Sequence, residues 1–318
     1  MNSQTAPTAQ RSADKIRLAE RIAADKCVTI IINTRSRKGQ KLFDHACQMF
    51  TDAGFRIDRA HAMRDPSQLD TTVCEAIAGG ATLVAVGGGD GTLSSVSRHF
   101  IGTDAVFGVL PLGTANSFAR TLGIPGDMKG AIDVLANGRV EDVDLGRVGD
   151  HYFVNAAAIG LPAMIGETIP HGLKAVLGRV GYLGWAAYQL ARLKSFHVTL
   201  TDASGVREFE ALEVRVNNGR YLGGMEVAAE ASVESLDLVV QVVTGRNGWT
   251  LARSWALSAL GRRGGDGLVS LRTAKMRIET DPPMSVSVDG EVLAKTPIDI
   301  SVARQVLKIM VPKDQADL

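Results

Sequence analysis

Residues 81–96 read ATLVAVGGGDGTLSSV. The apolar run from Ala81 to Val86 predicts a strand buried on both faces, and Leu93 to Phe100 predicts a short helix. Between them lies GGGDGT, residues 87–92. A glycine cluster between a buried strand and a helix is either a tight reversal or a phosphate cradle. Glycine lets the backbone approach a bulky anion closely, and a helix start presents free amides to it. The spacing fits neither the Walker pattern nor GxGxxG. Asp90 is the informative residue, because an acid repels phosphate unless a cation, usually magnesium, sits between them. Thr92 either caps the next helix or touches phosphate.

The pattern on both sides of this stretch sets the fold. Residues Asp14 to Lys26 show apolar residues at helical spacing (Ile16, Ala19, Ile22, Ala23), which predicts a short surface helix. CVTIIIN (Cys27 to Asn33) is a β-branched run suited to a buried strand, and Leu42 to Ala53 reads as a helix closed by Gly54. A strand over Phe55 to Ala62, a helix over Pro66 to Ala78 and a strand over Ala105 to Leu110 continue the alternation. Strand and helix in turn predict an α/β domain with a doubly wound parallel sheet. Ligands of such sheets sit at the carboxyl ends of the strands. Three loops occupy those ends: NTRSRKG from Asn33, GGGDGT from Gly87 and PLGTANSF from Pro111.

The pattern changes after a helix over Asp127 to Asn137. HYFVNAAA, FHVTLTDASG, EALEVRVNNG, LDLVVQVV, LVSLRT, AKMRIET and MSVSVDGEV are short strand-like runs separated by turn residues. They predict a mostly antiparallel β-sandwich or barrel, interrupted by helical stretches at Leu173 to Leu193 and Trp249 to Leu260. The expected organisation is a tail and short helix over 1–26, a nucleotide-binding domain over 27–144 joined by about 304–313, and a β-rich domain over 145–303.

Composition narrows the function. Lys plus Arg number 35 against 34 Asp plus Glu, so the net charge of +1 gives no field for a nucleic acid. No apolar run reaches the ~20 residues that span a bilayer, so no transmembrane segment is expected. The polar start MNSQTAPTAQRS has no signal-peptide character, which points to a cytoplasmic protein. Cys27, Cys47 and Cys74 lack ligand spacing and read as small buried hydrophobes in a reducing compartment.

Each candidate loop keeps two readings. NTRSRKG offers Asn33, Arg35, Ser36, Arg37, Lys38 and Gly39 to a phosphate, or is a solvated basic turn. In PLGTANSF, Gly113, Thr114 and Asn116 are available to a nucleotide, or Thr114 or Asn116 caps a helix. In SVSVDGEV, Asp289-Gly290 is first a hairpin turn, with Glu291 beside it a candidate base. Between Trp249 and Leu260, Leu251, Ala252, Trp255, Ala256, Ala259 and Leu260 form one arc, followed by Arg262 and Arg263. This arc is either core or a membrane-surface anchor.

GGGDGT, PLGTANSFAR, FVNAAAIG and the late VDGE, in that order, resemble the diacylglycerol kinase catalytic family, which includes bacterial lipid kinases and relatives of sphingosine and ceramide kinases. The resemblance runs from about Val28 to Val311. It implies an NAD-kinase-like nucleotide domain, a β-rich substrate domain, and return of the C-terminal run VLKIMV to the first domain. The implied activity is ATP-dependent, magnesium-assisted phosphoryl transfer to a lipid hydroxyl at the membrane surface, by a peripherally associated protein. An NAD kinase and a nonenzymatic nucleotide or lipid binder of the same fold remain alternatives, and a homodimer is left open.

Carried over by position, Asn33, Ser36, Gly88, Gly89, Gly91, Thr92, Gly113, Thr114 and Asn116 line ATP, Asp90 organises magnesium and phosphate, and Glu291 is the general base. An acidic network holds a structural metal in some members, and Asp144, Glu234 and Asp237 stand at the corresponding places. Three departures accompany the resemblance. Thr34 replaces a loop proline, Ser117 replaces the aspartate of ANDF, and Glu234-Ser235 replaces an Asp-Gly.

Overall fold

The β-branched run Cys27–Asn33 forms β1, buried along its centre because sheet neighbours on both edges and helices on both faces exclude water. The computed structural model describes residues 8–35, 39–168, 184–185, 188–245, 248–259 and 267–315. The chain divides into two compact units, Met1–Leu145 with Arg304–Leu318, and Gly146–Ala303.

In the first unit, β2 (Arg56–Met63), β3 (Leu83–Gly88) and β4 (Val106–Pro111) join β1 in a parallel sheet of order β2–β1–β3–β4. Both β3 and β4 are buried along their whole length, as the continuous apolar runs require. The helices fall into two groups. α2 (Gly39–Asp52) packs on α6 (Met128–Asn137), while α3 (Leu69–Ala78) packs on α4 (Asp90–Ser97). A five-residue helix, α5 (Ser117–Thr121), follows β4. The end of the chain returns beside β4, pairing Ile309 with Phe107 in parallel.

Two elements of this unit differ from the pattern reading. The first helix, α1, runs Thr8–Asp25, 18 residues rather than a short segment. It is anchored by tertiary contacts that helical periodicity does not show. Lys15 ion-pairs with Glu141, Ile22 is buried, and Ile16 stays exposed. β3 also runs two residues further than the apolar run, because Gly87 and Gly88 continue the parallel register opposite Leu110 and Pro111.

The second unit is an antiparallel β-sandwich. After β5 (Arg139–Val148) come β6 (His151–Phe153), β7 (Ala156–Gly160) and helix α7 (Leu161–Thr168). β8 (Phe196–Asp202) and the long β9 (Gly205–Asn217) form a hairpin, and β9 also pairs with β7 and with β12 (Leu238–Thr244). The short pair β10 (Tyr221–Leu222) and β11 (Met225–Glu226) precedes β12, and helix α8 (Gly248–Ala259) follows it. β13 (Leu268–Thr273) pairs β12, and β14 (Lys275–Asp281) pairs β8. β15 (Ser285–Val288) and β16 (Glu291–Lys295) form a hairpin on β7. β17 (Ile298–Val311) begins beside β14. The core gathers Phe153, Phe196, Val214, Val216, Val240, Met276 and Ile278 with their neighbours. Most of Leu173 to Leu193 lies outside the described residues, as do Leu260, Arg262 and Arg263.

One side of β9 carries a buried ion pair. In EALEVRVNN, period-two alternation sends Val214 and Val216 into the core and Glu213 and Arg215 to the opposite face. Arg215 is 1% exposed and Glu213 0%, with Nε donating to Oε1 at 2.6 Å. Trp255 of α8 donates its indole N–H to Glu213 Oε2 at 3.0 Å, and the guanidinium carbon lies 4.5 Å from its ring centre. The arc on α8 is therefore core at Leu251 and Trp255, whereas Trp249 is 83% exposed.

Breaking this pair leaves an uncompensated charge in an apolar setting. Arg215→Met is expected to cost about 3–5 kcal/mol in urea unfolding, and adding Glu213→Leu to recover most of it. A loss below about 1 kcal/mol for Arg215→Met alone would contradict the burial described.

Candidate active site

The three predicted loops of the first unit are braced against one another. Leu112 donates its amide to Gly88 O at 2.9 Å, holding the chain after β4 beside the end of β3. A methyl group on Gly113 would lie 2.6 Å from the Gly89 Cα, and one on Gly88 would lie 2.5 Å from the Thr92 Cβ. Both glycines are thus required by close backbone and side-chain approach rather than by left-handed torsion. Gly91 differs, since a Cβ there would meet nothing within 4 Å. This exposed first turn of α4 presents helix-start amides, which lack intrahelical partners and carry the positive end of the dipole.

Asp90 opens α4 and also serves the neighbouring loop. Its Oδ1 accepts the Phe118 amide at 3.0 Å, capping α5 from a different segment of the chain. Asn116, the residue before α5, makes no side-chain cap there. It takes a left-handed conformation at φ 49°, its Oδ1 accepts the Gly113 amide at 2.9 Å, and its Nδ2 donates to Pro111 O and Gly113 O. Asn116 thus closes its own loop. The helix-cap reading of Asn116 fails for this reason, and Thr92 is no cap either, because Gly89 occupies the cap position of α4.

Asn33 reaches the same place from β1. Its Nδ2 donates to Thr92 Oγ1 at 3.0 Å and its Oδ1 accepts the Arg35 amide at 3.2 Å. Asn33, Gly88, Gly89, Asp90, Thr92, Gly113 and Asn116 are joined through these contacts, while Gly91 and Thr114 are exposed beside them. Ser36, Arg37 and Lys38 lie outside the described residues. Ser117 is buried at 2% exposure.

In the second unit, Asp289 and Gly290 have φ of 46° and 95°, the signature of a two-residue primed turn between β15 and β16. Asp289 does more than turn the chain. Its carboxylate accepts amides from Val154 at 2.7 Å, Asn155 at 3.0 Å and Ala156 at 3.0 Å. This clamp interrupts the run HYFVNAAA, which forms two strands instead of one. Glu291 is exposed at the start of β16.

Two of the acids that the resemblance assigns to a structural metal have protein partners. Asp144, fully buried, accepts the Gln305 amide at 2.7 Å. Asp237 is ion-paired with Arg272 at 3.1 Å and accepts Ser235 Oγ at 2.6 Å. Among the described residues no group of three His, Cys, Asp or Glu side chains could hold a metal ion.

The cysteine expectation is also corrected. Cys27 and Cys47 are partly buried, but Cys74 is exposed on α3. Pattern reasoning further missed the Glu213–Arg215–Trp255 group. Its available signal was the alternation of charge with valine in EVRVN, which places both charges on one strand face.

Comparison with known proteins agrees with this anatomy. The Diacylglycerol kinase catalytic domain matches residues 27–148, and the YegS C-terminal NAD kinase beta sandwich-like domain matches residues 155–311. A Xanthomonas campestris protein named "Probable lipid kinase YegS-like" is 31% identical over 277 residues, covering 82% of this chain and 88% of that protein. A Staphylococcus epidermidis protein named "Diacylglycerol kinase" is 29% identical over 236 residues, covering 73% and 75%. The crystal structure of a diacylglycerol kinase from Bacillus anthracis str. Sterne superposes with a TM-score of 0.70 at 22% identity, covering 90% of this chain and 97% of that one, and so shares the fold. With both halves matched in order and the glycine–aspartate loop in place, the chain belongs to the lipid kinase family defined by the diacylglycerol kinase catalytic domain.

Proposed function

We propose that this protein transfers the γ-phosphoryl group of ATP to a hydroxyl of a membrane lipid, either diacylglycerol or a sphingoid- or ceramide-type lipid. The observation that carries this reading is the joined set of loops around Asp90 in a chain of this family. Phosphoryl transfer asks little covalent chemistry of a protein and depends on positioning and charge. The open space at Gly91 supports a nucleotide role, since the first turn of α4 there presents helix-start amides without intrahelical partners. In this reading Asn33, Gly88, Gly89, Gly91, Thr92, Gly113 and Thr114 receive the nucleotide, while Asn116 holds the shape of its loop. Ser36 belongs to the same proposal by its place in the first loop.

Asp90 gives one carboxylate oxygen to the Phe118 amide, and a carboxylate has a second with which to hold magnesium. Magnesium, when bound, supplies neutralising charge to the phosphates. Glu291, exposed and beside a rigid turn, is proposed to take the proton from the acceptor hydroxyl as it attacks. No helix among the described residues is long and apolar enough to cross a membrane. The 83% exposure of Trp249 supports a protein that visits the membrane surface, where an indole ring anchors well.

Labelled ATP with magnesium and a panel of lipids is expected to yield a labelled product from one of these classes. With NAD offered beside the lipids, labelled NADP and no labelled lipid would overturn the proposal in favour of an NAD kinase. Asp90→Asn keeps the acceptor for Phe118, so it is expected to fold normally and lose turnover by roughly a hundred- to ten-thousand-fold, as is Glu291→Gln. Near-normal turnover in the Glu291 variant would remove it as the base.

The loop geometry yields a separate contrast in stability. Gly113→Ala forces its loop away from Gly89 and is expected to cost about 1–3 kcal/mol, with weakened ATP binding. Gly91→Ala, facing open space in a helix, is expected to be neutral or to stabilise by up to about 1 kcal/mol. Thermal melting of the two variants with and without ATP measures both effects.

A further inference from the structure

Away from the phosphate-loop region, the first unit holds a thiol, an imidazole and a carboxylate in a row. Asp70 and Cys74 are four residues apart on α3, so they lie on one helix face. Opposite them is the short 3-10 turn Arg98–Phe100 that follows α4. Cys74 Sγ lies 3.3 Å from His99 Nδ1, and His99 Nε2 lies 3.1 Å from Asp70 Oδ1. Arg98 Nη2 donates to Asp70 Oδ2 at 2.6 Å, which fixes the carboxylate from its other side. Arg98 Nε also approaches His99 Nε2, but at 3.5 Å this contact is too long to displace the carboxylate. With Nε2–H directed at Asp70, the Nδ1 lone pair faces the thiol. The imidazole uses its two nitrogens on different partners, so the three groups cannot converge on one metal ion.

We propose that Cys74 is a reactive thiol that undergoes exchange with low-molecular-weight disulfides, with His99 as its base and Asp70 positioning and stabilising the imidazolium. In the exchange His99 Nδ1 takes the Sγ proton and the Cys74 thiolate attacks one sulfur of the disulfide. A new bond joins Cys74 to that sulfur, the original sulfur–sulfur bond breaks, and the departing thiolate takes the proton from His99. Cys74 is thereby oxidised to a mixed disulfide and the other half of the reagent is reduced to a free thiol. A free thiol takes the reverse path and restores Cys74.

The other cysteines supply an internal comparison. Cys47 is partly buried, and burial together with the nearby Asp44 carboxylate pushes its thiol above the ordinary range, which disfavours the attacking thiolate. Cys27 begins the buried strand β1 and has no imidazole among its described hydrogen-bond partners. Cys74 alone combines exposure with an adjoining imidazole among the described cysteines.

The test treats the full-length protein with glutathione disulfide near neutral pH and follows adducts by intact mass and peptide mapping. The first adduct is expected at Cys74, with Cys27 and Cys47 slower by roughly tenfold. His99→Ala and His99→Gln are each expected to slow Cys74 by roughly tenfold, and Asp70→Asn by a smaller factor. Melting curves establish that the variants are folded. Equal modification of the three cysteines in the unaltered protein overturns the proposal without recourse to any variant. Unchanged Cys74 reactivity in a folded His99 variant removes the imidazole as base and overturns it equally.

Discussion

Close approach of two glycine backbones is the constraint on which the first unit depends. Gly89 ends one loop and Gly113 begins another, and a single methyl group on the latter would collide with the former. That approach brings the start of α5 within reach of Asp90, whose carboxylate then caps it at Phe118. The start of α4 also carries Thr92, which Asn33 engages from the first strand. Three chain segments distant in sequence thus depend on one another. Asp90 has a structural duty as well as its proposed chemical one, and only the isosteric amide separates the two experimentally.

A comparable economy operates in the second unit. One carboxylate, Asp289, satisfies three amides that would otherwise be orphaned where β6 gives way to β7. Because the residue sits in a primed hairpin turn, the clamp also fixes where β16 begins and hence where Glu291 stands. Nearby strands carry a burden of a different kind, the buried Glu213–Arg215 pair under Trp255. Desolvating two charges offsets much of their attraction, so such a pair contributes little net stability but is costly to break. Its effect is to hold α8 in one orientation, with Trp255 inward and Trp249 outward.

Asp237 shows how the family pattern is modified here. A serine follows Glu234 where relatives of the resemblance carry Asp-Gly, and that serine hydroxyl donates to the Asp237 carboxylate. Arg272 on the paired strand completes its neutralisation.

Alternating strand and helix, the continuous apolar runs of β1, β3 and β4, and the short antiparallel strands that follow were all legible in the sequence, because burial periodicity is a local property. The glycine–aspartate loop was legible as a candidate site for the same reason, since its composition and position in the chain are local. Tertiary structure alone decided what the polar side chains do. Asp90 caps a helix that begins 27 residues later, Asp289 clamps amides far earlier in the chain, and Asp237 meets an arginine on another strand. Cys74 faces a histidine because two helical segments pack, although its residue type and lack of ligand spacing read as a buried hydrophobe. A sequence determines which residues seek burial. Which partner satisfies each polar group depends on distances that exist only after the chain has folded.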